Sequence, residues 1–235
     1  MFKKMLVLAV FVFSFASLSF ANKTYVIDTP TAGVLSYGAY DMGFRCFSYG
    51  NIISNINFGI FKPLDIGASW ELDKFIGKDQ AQVAVPALNI KLRLYGGSMV
   101  LPQLAIGYDG QGYFINNDYS GKYLQREKGL YIVIGRELFA DGLIFNVGAN
   151  VNNFLKTRVY GFINAMAPVY KEAVYFMTEY DNVNYFPHAR LSCGLKFALT
   201  EYIDVDCIIR DCWGKESVGR ISNERVFRIS YSGKF

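Results

Sequence analysis

The chain has 235 residues, 52% hydrophobic and 17% aromatic, with 24 Lys+Arg against 20 Asp+Glu for a net charge of +4. So small an excess of positive charge argues against a nucleic-acid partner. Beyond the N-terminal stretch no segment offers the roughly 18 consecutive apolar residues of a helical membrane span, and the length suits one sizeable domain or one closed barrel.

The N-terminus reads as an export signal. Lys3 and Lys4 form a basic start, Met5 to Phe15 an apolar run, and Ser19 and Ala21 are small residues spaced for cleavage. The expectation is a signal peptide over 1–21 and a single domain over 22–235. The competing reading, a transmembrane anchor, is disfavoured because the apolar run is short and no basic stop-transfer cluster follows.

Period-two alternation then repeats down the chain. Leu64, Ile66, Ala68, Trp70 and Leu72 take one face, and Asp65, Gly67, Ser69 and Glu71 the other. Leu88, Ile90, Leu92 and Leu94 alternate with Asn89, Lys91, Arg93 and Tyr95. Ala189, Leu191, Cys193, Leu195 and Phe197 alternate with Arg190, Ser192, Gly194 and Lys196, and Ile203, Val205, Cys207 and Ile209 with Asp204, Asp206 and Arg210. Twelve strands are predicted, at 38–48, 52–62, 64–72, 87–96, 100–109, 128–138, 143–152, 157–166, 173–181, 188–199, 202–211 and 225–235. Tight links at 62–63, 96–98, 139–142, 167–172 and 200–201 alternate with longer ones at 73–86, 110–127, 182–187 and 212–224. Gly50-Asn51 and Asp109-Gly110-Gln111-Gly112 read as turns.

Short turns on one rim and long loops on the other are the pattern of an outer-membrane barrel. The predicted fold is therefore all-β: a closed, antiparallel, up-and-down transmembrane barrel of about twelve strands, following a cleaved signal peptide. A soluble sandwich with the same alternation is the alternative. The last strand favours the barrel. Phe227, Ile229, Tyr231 and Phe235 share one phase, and Arg228, Ser230, Ser232 and Lys234 the other. Those four apolar residues are the expected signal to the barrel assembly machinery, and outer-membrane lipid is the expected partner of the apolar wall.

Several stretches occur in an order that resembles a known group. They are Pro30-Thr31-Ala32, Asn89 to Leu94 (NIKLRL), Pro102 to Gly112 (PQLAIGYDGQG), Gly129-Leu130-Tyr131 and Gly148-Ala149-Asn150. The chain is similar here to the YjbH-type outer-membrane lipoproteins and barrels associated with exopolysaccharide production, over most of residues 30–155. The resemblance implies an envelope location and a link to a polysaccharide or its export proteins. It supplies no catalytic residues. Two departures stand out: no cysteine follows the expected cleavage site, so no lipid anchor is expected there, and the chain is short for that group.

No catalytic site, metal or cofactor is expected. His188, the one histidine, shares the polar phase with Ser192. Four residues along a strand span about 13 Å, too far for a nucleophile and its base. Cys46, Cys193, Cys207 and Cys212 lack zinc-site spacing, and a Cys207–Cys212 bridge stays open as an alternative. The candidate lumen-lining residues are Asp65, Glu71, Lys91, Arg93, Glu179, Arg190, Lys196, Asp204, Asp206 and Arg210. A hairpin centred on 183–185 would set Glu179 opposite Arg190 and Asp181 opposite His188, and a three-residue turn after Leu199 would set Lys196 opposite Asp204. These readings lead to a non-enzymatic, porin-like barrel supporting passage or export of an envelope solute such as a polysaccharide. The alternative is a structural barrel with a plugged lumen whose extracellular loops bind a partner.

Overall fold

The structure, a computed structural model, describes residues 24–98, 101–116, 122–125, 127–138, 142–152, 158–171, 173–214 and 221–235. The expected signal peptide lies outside them, as do residues 100 and 157, where two strands were expected to begin. Among the described residues the strands are β1 (Ala39–Phe47), β2 (Asn51–Phe61), β3 (Leu64–Asp73), β4 (Gln82–Val83), β5 (Ala87–Tyr95), β6 (Gln103–Asp109), β7 (Tyr113–Asn116), β8 (Lys122–Gln125), β9 (Gly129–Glu137), β10 (Ile144–Val151), β11 (Tyr160–Tyr170), β12 (Val174–Asp181), β13 (Arg190–Ala198), β14 (Ile203–Arg210) and β15 (Glu224–Lys234).

Twelve of these, all but β4, β7 and β8, pair antiparallel with their neighbours in chain order to form a closed wall. The ring shuts where β1 meets β15, from Ala39 opposite Lys234 to Cys46 opposite Phe227. Closure removes the two edges whose N–H and C=O groups would otherwise face hydrocarbon unpaired. The connections that leave β2, β5, β9, β11 and β13 start from one rim, the short-turn rim, and the mostly longer ones that leave β3, β6, β10, β12 and β14 start from the other. At that second rim the link between β1 and β2 is tight, with φ of 64° at Tyr49 and 74° at Gly50. A Cβ on Gly50 would lie 2.0 Å from the Ile76 carbonyl oxygen, so glycine lets the 74–86 loop sit down on this turn.

The wall is apolar outside. Phe44, Leu88, Ile106, Ile132, Val147, Phe176, Ile209 and Phe227 are exposed large hydrophobics on the outward phase of eight different strands. At the short-turn rim Tyr40, Tyr202, Tyr231 and Phe235 cluster, with ring centroids 5.9–6.3 Å apart. An apolar band edged by aromatics is what a bilayer and its interface select. The inner phase is closely packed. Val133, Phe162, Met166 and Met177 are buried there beside the charges, so the interior is a filled core and not a purely polar lining.

Three local expectations need correction. The eighth barrel strand does not stop near 166. β11 continues to Tyr170, past Pro168, where β10 no longer pairs with it and the ladder to β12 shifts register, an edge and bulge position that tolerates proline. His188 precedes its strand, in a 3-10 turn over Phe186–His188, where it stacks on Tyr185 at 4.8 Å. The cross-strand pairs are each offset by two residues: Asp181, expected opposite His188, takes the place expected of Glu179 opposite this hairpin's arginine. Arg190 lies opposite Asp181, Ser192 opposite Glu179, and Lys196 opposite Asp206 rather than Asp204. The 3-10 turn and the four-residue link 199–202 set those registers. A slip of two keeps every side chain on its face, so the alternation is blind to it.

Candidate functional site

The interior of the barrel is occupied by the chain's own residues 24–36, a segment to which the alternating pattern assigns nothing. It enters from the short-turn rim and folds into a hairpin. Tyr25 bridges Pro30, and the Val26 and Thr31 N–H groups donate to the Thr29 and Thr24 carbonyls at 3.2 and 3.0 Å. Ile27 and Thr29 are 0% exposed and Val26, Ala32 and Val34 1%. A stretch with no strand ladder of its own must send its backbone groups elsewhere when it is buried. Here they go to the wall.

The charged residues expected to line the lumen supply many of those partners. The Glu179 carboxylate accepts from the Asp28 N–H, the Thr29 N–H and the Thr29 hydroxyl at 2.7–2.8 Å. Asp65 accepts from the Leu35 N–H at 2.9 Å. Lys91 lies opposite Asp65 in the ladder, yet its ammonium donates to the carbonyls of Thr24, Thr31 and Gly33 at 2.6–3.2 Å. Arg210 pairs with Asp28 and with Glu224, each at 2.8 Å. Glu71 accepts at 3.1 Å from the N–H of Phe114, at the start of the β7–β8 hairpin. That hairpin belongs to the loop after β6, with Tyr113 and Phe114 buried.

The remaining candidates serve the wall itself. Lys196 bridges Asp206 at 3.2 Å and Asp204 at 3.6 Å. Arg190 and Lys128 share Asp181 at 2.7 and 2.6 Å. Arg93 keeps the inner phase, opposite the fully buried Ala105, but at the rim end of its strand. It is partly exposed at the short-turn rim and donates to the Lys62 carbonyl at 3.4 Å, where β5 bulges against β6. Phe227, Ile229, Tyr231 and Phe235 all lie on the outer surface.

Sequence reasoning missed several residues that hold the segment. Arg45 donates to Asp28 and to the Ile27 carbonyl, both at 2.5 Å, and the Tyr113 hydroxyl reaches Asp28 at 2.7 Å. Arg228 donates to the Val26 carbonyl at 2.7 Å while pairing with Asp206. Asn146 accepts from the Ala32 N–H at 3.1 Å, and Asn164 donates to Thr29 and Pro30. Gly135 faces this contact. A Cβ there would fall 2.1 Å from the Asn146 side chain and 3.0 Å from the Ala32 Cβ, so glycine allows the segment to touch the wall. Burial alone would push the Asp28 carboxyl up, but Arg210 and Arg45 outweigh it and hold the group well below the ordinary carboxylate range. Burial, with Asp109 beside it, pushes the Tyr25 phenol up, so it stays neutral. Between the segment and the wall lies a cavity of about 110 Å³, lined by Asp28, Arg45, Asp109 and Lys196 among others, with room for ordered water. Among the described residues no group of His, Cys, Asp and Glu is placed to hold a metal ion.

No family model matches the chain, and no curated protein matches it. Solved porins resemble it distantly. A variant of the Rh. blastica porin gives a TM-score of 0.38 at 11% identity, over 79% of this chain and 55% of that one, so the chain spans about half of that porin's length. Another variant of the same porin gives 0.39 at 8% identity, over 84% of this chain and 98% of that chain. A Salmonella typhi OmpF in complex with daunomycin gives 0.31 at 9% identity, over 83% and 97%. Likeness at this level adds nothing to what the strand ladders establish.

Proposed function

We propose that this is a non-enzymatic barrel of the bacterial outer membrane, closed by its own N-terminal segment, which acts through its long-loop rim on an envelope partner rather than as an open pore. The observation that carries this reading is residues 24–36 filling the interior, with hydrogen bonds or ion pairs to wall strands β1, β3, β5, β10, β11, β12, β14 and β15. The apolar exterior supports outer-membrane lipid as the surrounding solvent. The outward aromatic phase of β15 supports recognition by the assembly machinery. The link to a polysaccharide rests on the resemblance alone, and passage of a glycan through this lumen requires the segment to leave first.

Conductance in planar bilayers tests the reading. The full-length protein is expected to insert without a steady open pore. A variant lacking residues 24–36, checked for heat-modifiable gel migration as proof of a folded barrel, is expected to conduct. A steady pore from the full-length protein would remove the plugged-barrel reading.

A further inference from the structure

The four cysteines are free thiols, and two of them are neighbours. The Cys193 Sγ on β13 lies 3.6 Å from the Cys212 Sγ, just past the end of β14. The chain around Cys212 is held there by other bonds. The Cys212 N–H donates to the Leu191 carbonyl at 2.7 Å, and the Asp211 N–H to the Ser192 hydroxyl at 3.3 Å. The other pairings are poorly placed. Cys46 and Cys207 both lie opposite Phe227, on the two sides of β15, so two strand spacings of about 4.8 Å separate them. Cys207 lies opposite Leu195, which leaves Cys193 a diagonal neighbour about 7–8 Å away, near or beyond the reach of a disulfide. Cys207 and Cys212, five residues apart in sequence, are not brought together; Cys207 lies opposite Leu195 and is exposed, while Cys212 is held at Leu191.

We propose that Cys193 and Cys212 form an intramolecular disulfide when the barrel meets an oxidising compartment, and that this bond clamps the root of the 211–223 loop to β13. The oxidant is another disulfide, either that of a dithiol oxidase or a small one such as oxidised glutathione. One thiolate of the pair attacks a sulfur of that disulfide and expels the other sulfur as a thiolate. The second thiolate of the pair then displaces the oxidant's remaining sulfur. Two protein thiols lose two protons and two electrons, and the oxidant's disulfide is reduced to two thiols. The clamp falls two residues from Arg210, whose guanidinium holds both Asp28 of the internal segment and Gln125 of β8. The loop root and the stopper are thereby tied to one point of the wall.

Thiol counting on the folded barrel tests this. The purified protein is incubated with oxidised glutathione, quenched with acid, unfolded in detergent and labelled with a maleimide, with and without prior reduction. Two labels are expected without reduction and four after it. Proteolysis of the oxidised sample should yield a linked peptide pair containing Cys193 and Cys212. Cys193→Ser and Cys212→Ser should each give three labels under both conditions, and Cys46→Ser should give one rising to three. Four labels without reduction, a linked Cys207–Cys212 peptide, or disulfide-linked dimers would each overturn the proposal. The wild-type count needs no variant to fold.

Discussion

Asp28 is the side chain on which the interior turns. Across the closing seam Arg45 lies directly opposite Arg228, and like charges facing across a strand pair repel. Asp206 neutralises Arg228, while Asp28, supplied by the internal segment, neutralises Arg45 and Arg210 together. Asp28→Asn keeps the shape and removes the charge, leaving the buried Arg45 without its carboxylate and Arg210 with Glu224 alone. The expected cost is about 3–5 kcal/mol, read as a lower temperature for the heat-induced shift in gel migration; an unchanged temperature would deny Asp28 this role. The pH dependence has a fixed sign. Because its folded value is depressed, the Asp28 carboxylate contributes fully above its unfolded value, near pH 3.9, and the contribution is lost as pH falls through the folded value. Protease protection of residues 24–36 should therefore differ between the wild type and Asp28→Asn by a constant margin from about pH 8 to 5, and that margin should close only in strong acid. On the wall, Leu195 is exposed outward in mid-strand while Ser192 is 3% exposed inside. Leu195→Arg should cost about 2–4 kcal/mol near the midplane, measured by urea unfolding from lipid vesicles. The packed interior gives Ser192→Arg no cheap alternative, whereas an open lumen would have accepted it.

The strands were legible because a wall between lipid and interior imposes period two on every crossing, and all twelve predicted crossings form. Their registers were not, since the 3-10 turn at 186–188 and the link 199–202 are geometric details that alternation does not encode. The internal segment was hidden for the opposite reason. Residues 24–36 carry no period, and a stretch that borrows its hydrogen bonds from others leaves no pattern of its own. Its trace in the wall was slight: Lys91, Arg228 and Arg210 each have an acidic cross-strand neighbour in Asp65, Asp206 and Glu224, whereas Arg45 lies between Arg228 and Ile53 with no acidic partner in the ladder. The seam itself can be tested. The Ser232 hydroxyl donates to the Asp41 carboxylate at 2.8 Å, and the two residues are register partners. With the four native cysteines changed to serine, Ser232→Cys plus Asp41→Cys should crosslink under mild oxidation and yield a chain that stays circular in detergent. Failure of that crosslink in a heat-modifiable barrel would show that β1 and β15 do not pair in this register. Phe235 stacks on Tyr40 at 6.0 Å and its N–H donates to the Gly38 carbonyl at 3.0 Å. Phe235→Asp should lower the yield of assembled barrel in cells well before it lowers the melting temperature of barrel already formed.

At the scale of the whole molecule, an apolar exterior and a sealed wall have a shared signature. The protein should fractionate with outer membranes, resist extraction by high salt, and migrate faster on gels before boiling than after; recovery as a soluble periplasmic monomer would be incompatible with this exterior. The internal segment adds a constraint of timing. Its contacts join residues separated by 17 positions, as in Asp28 with Arg45, up to 202, as in Val26 with Arg228, so the first described residues of the chain touch both the first and last strands of the ring. The segment's bonds reach eight of the twelve wall strands, on both sides of the closing seam. The expected order of assembly therefore has the hairpin present before β15 reaches β1, with the strands winding around it as around a mandrel. A peptide of residues 24–36 added to a folded barrel lacking them should leave it conducting, and the same peptide present during refolding should silence it. The hairpin is then a template for the wall as well as its stopper, and the two experiments separate those roles.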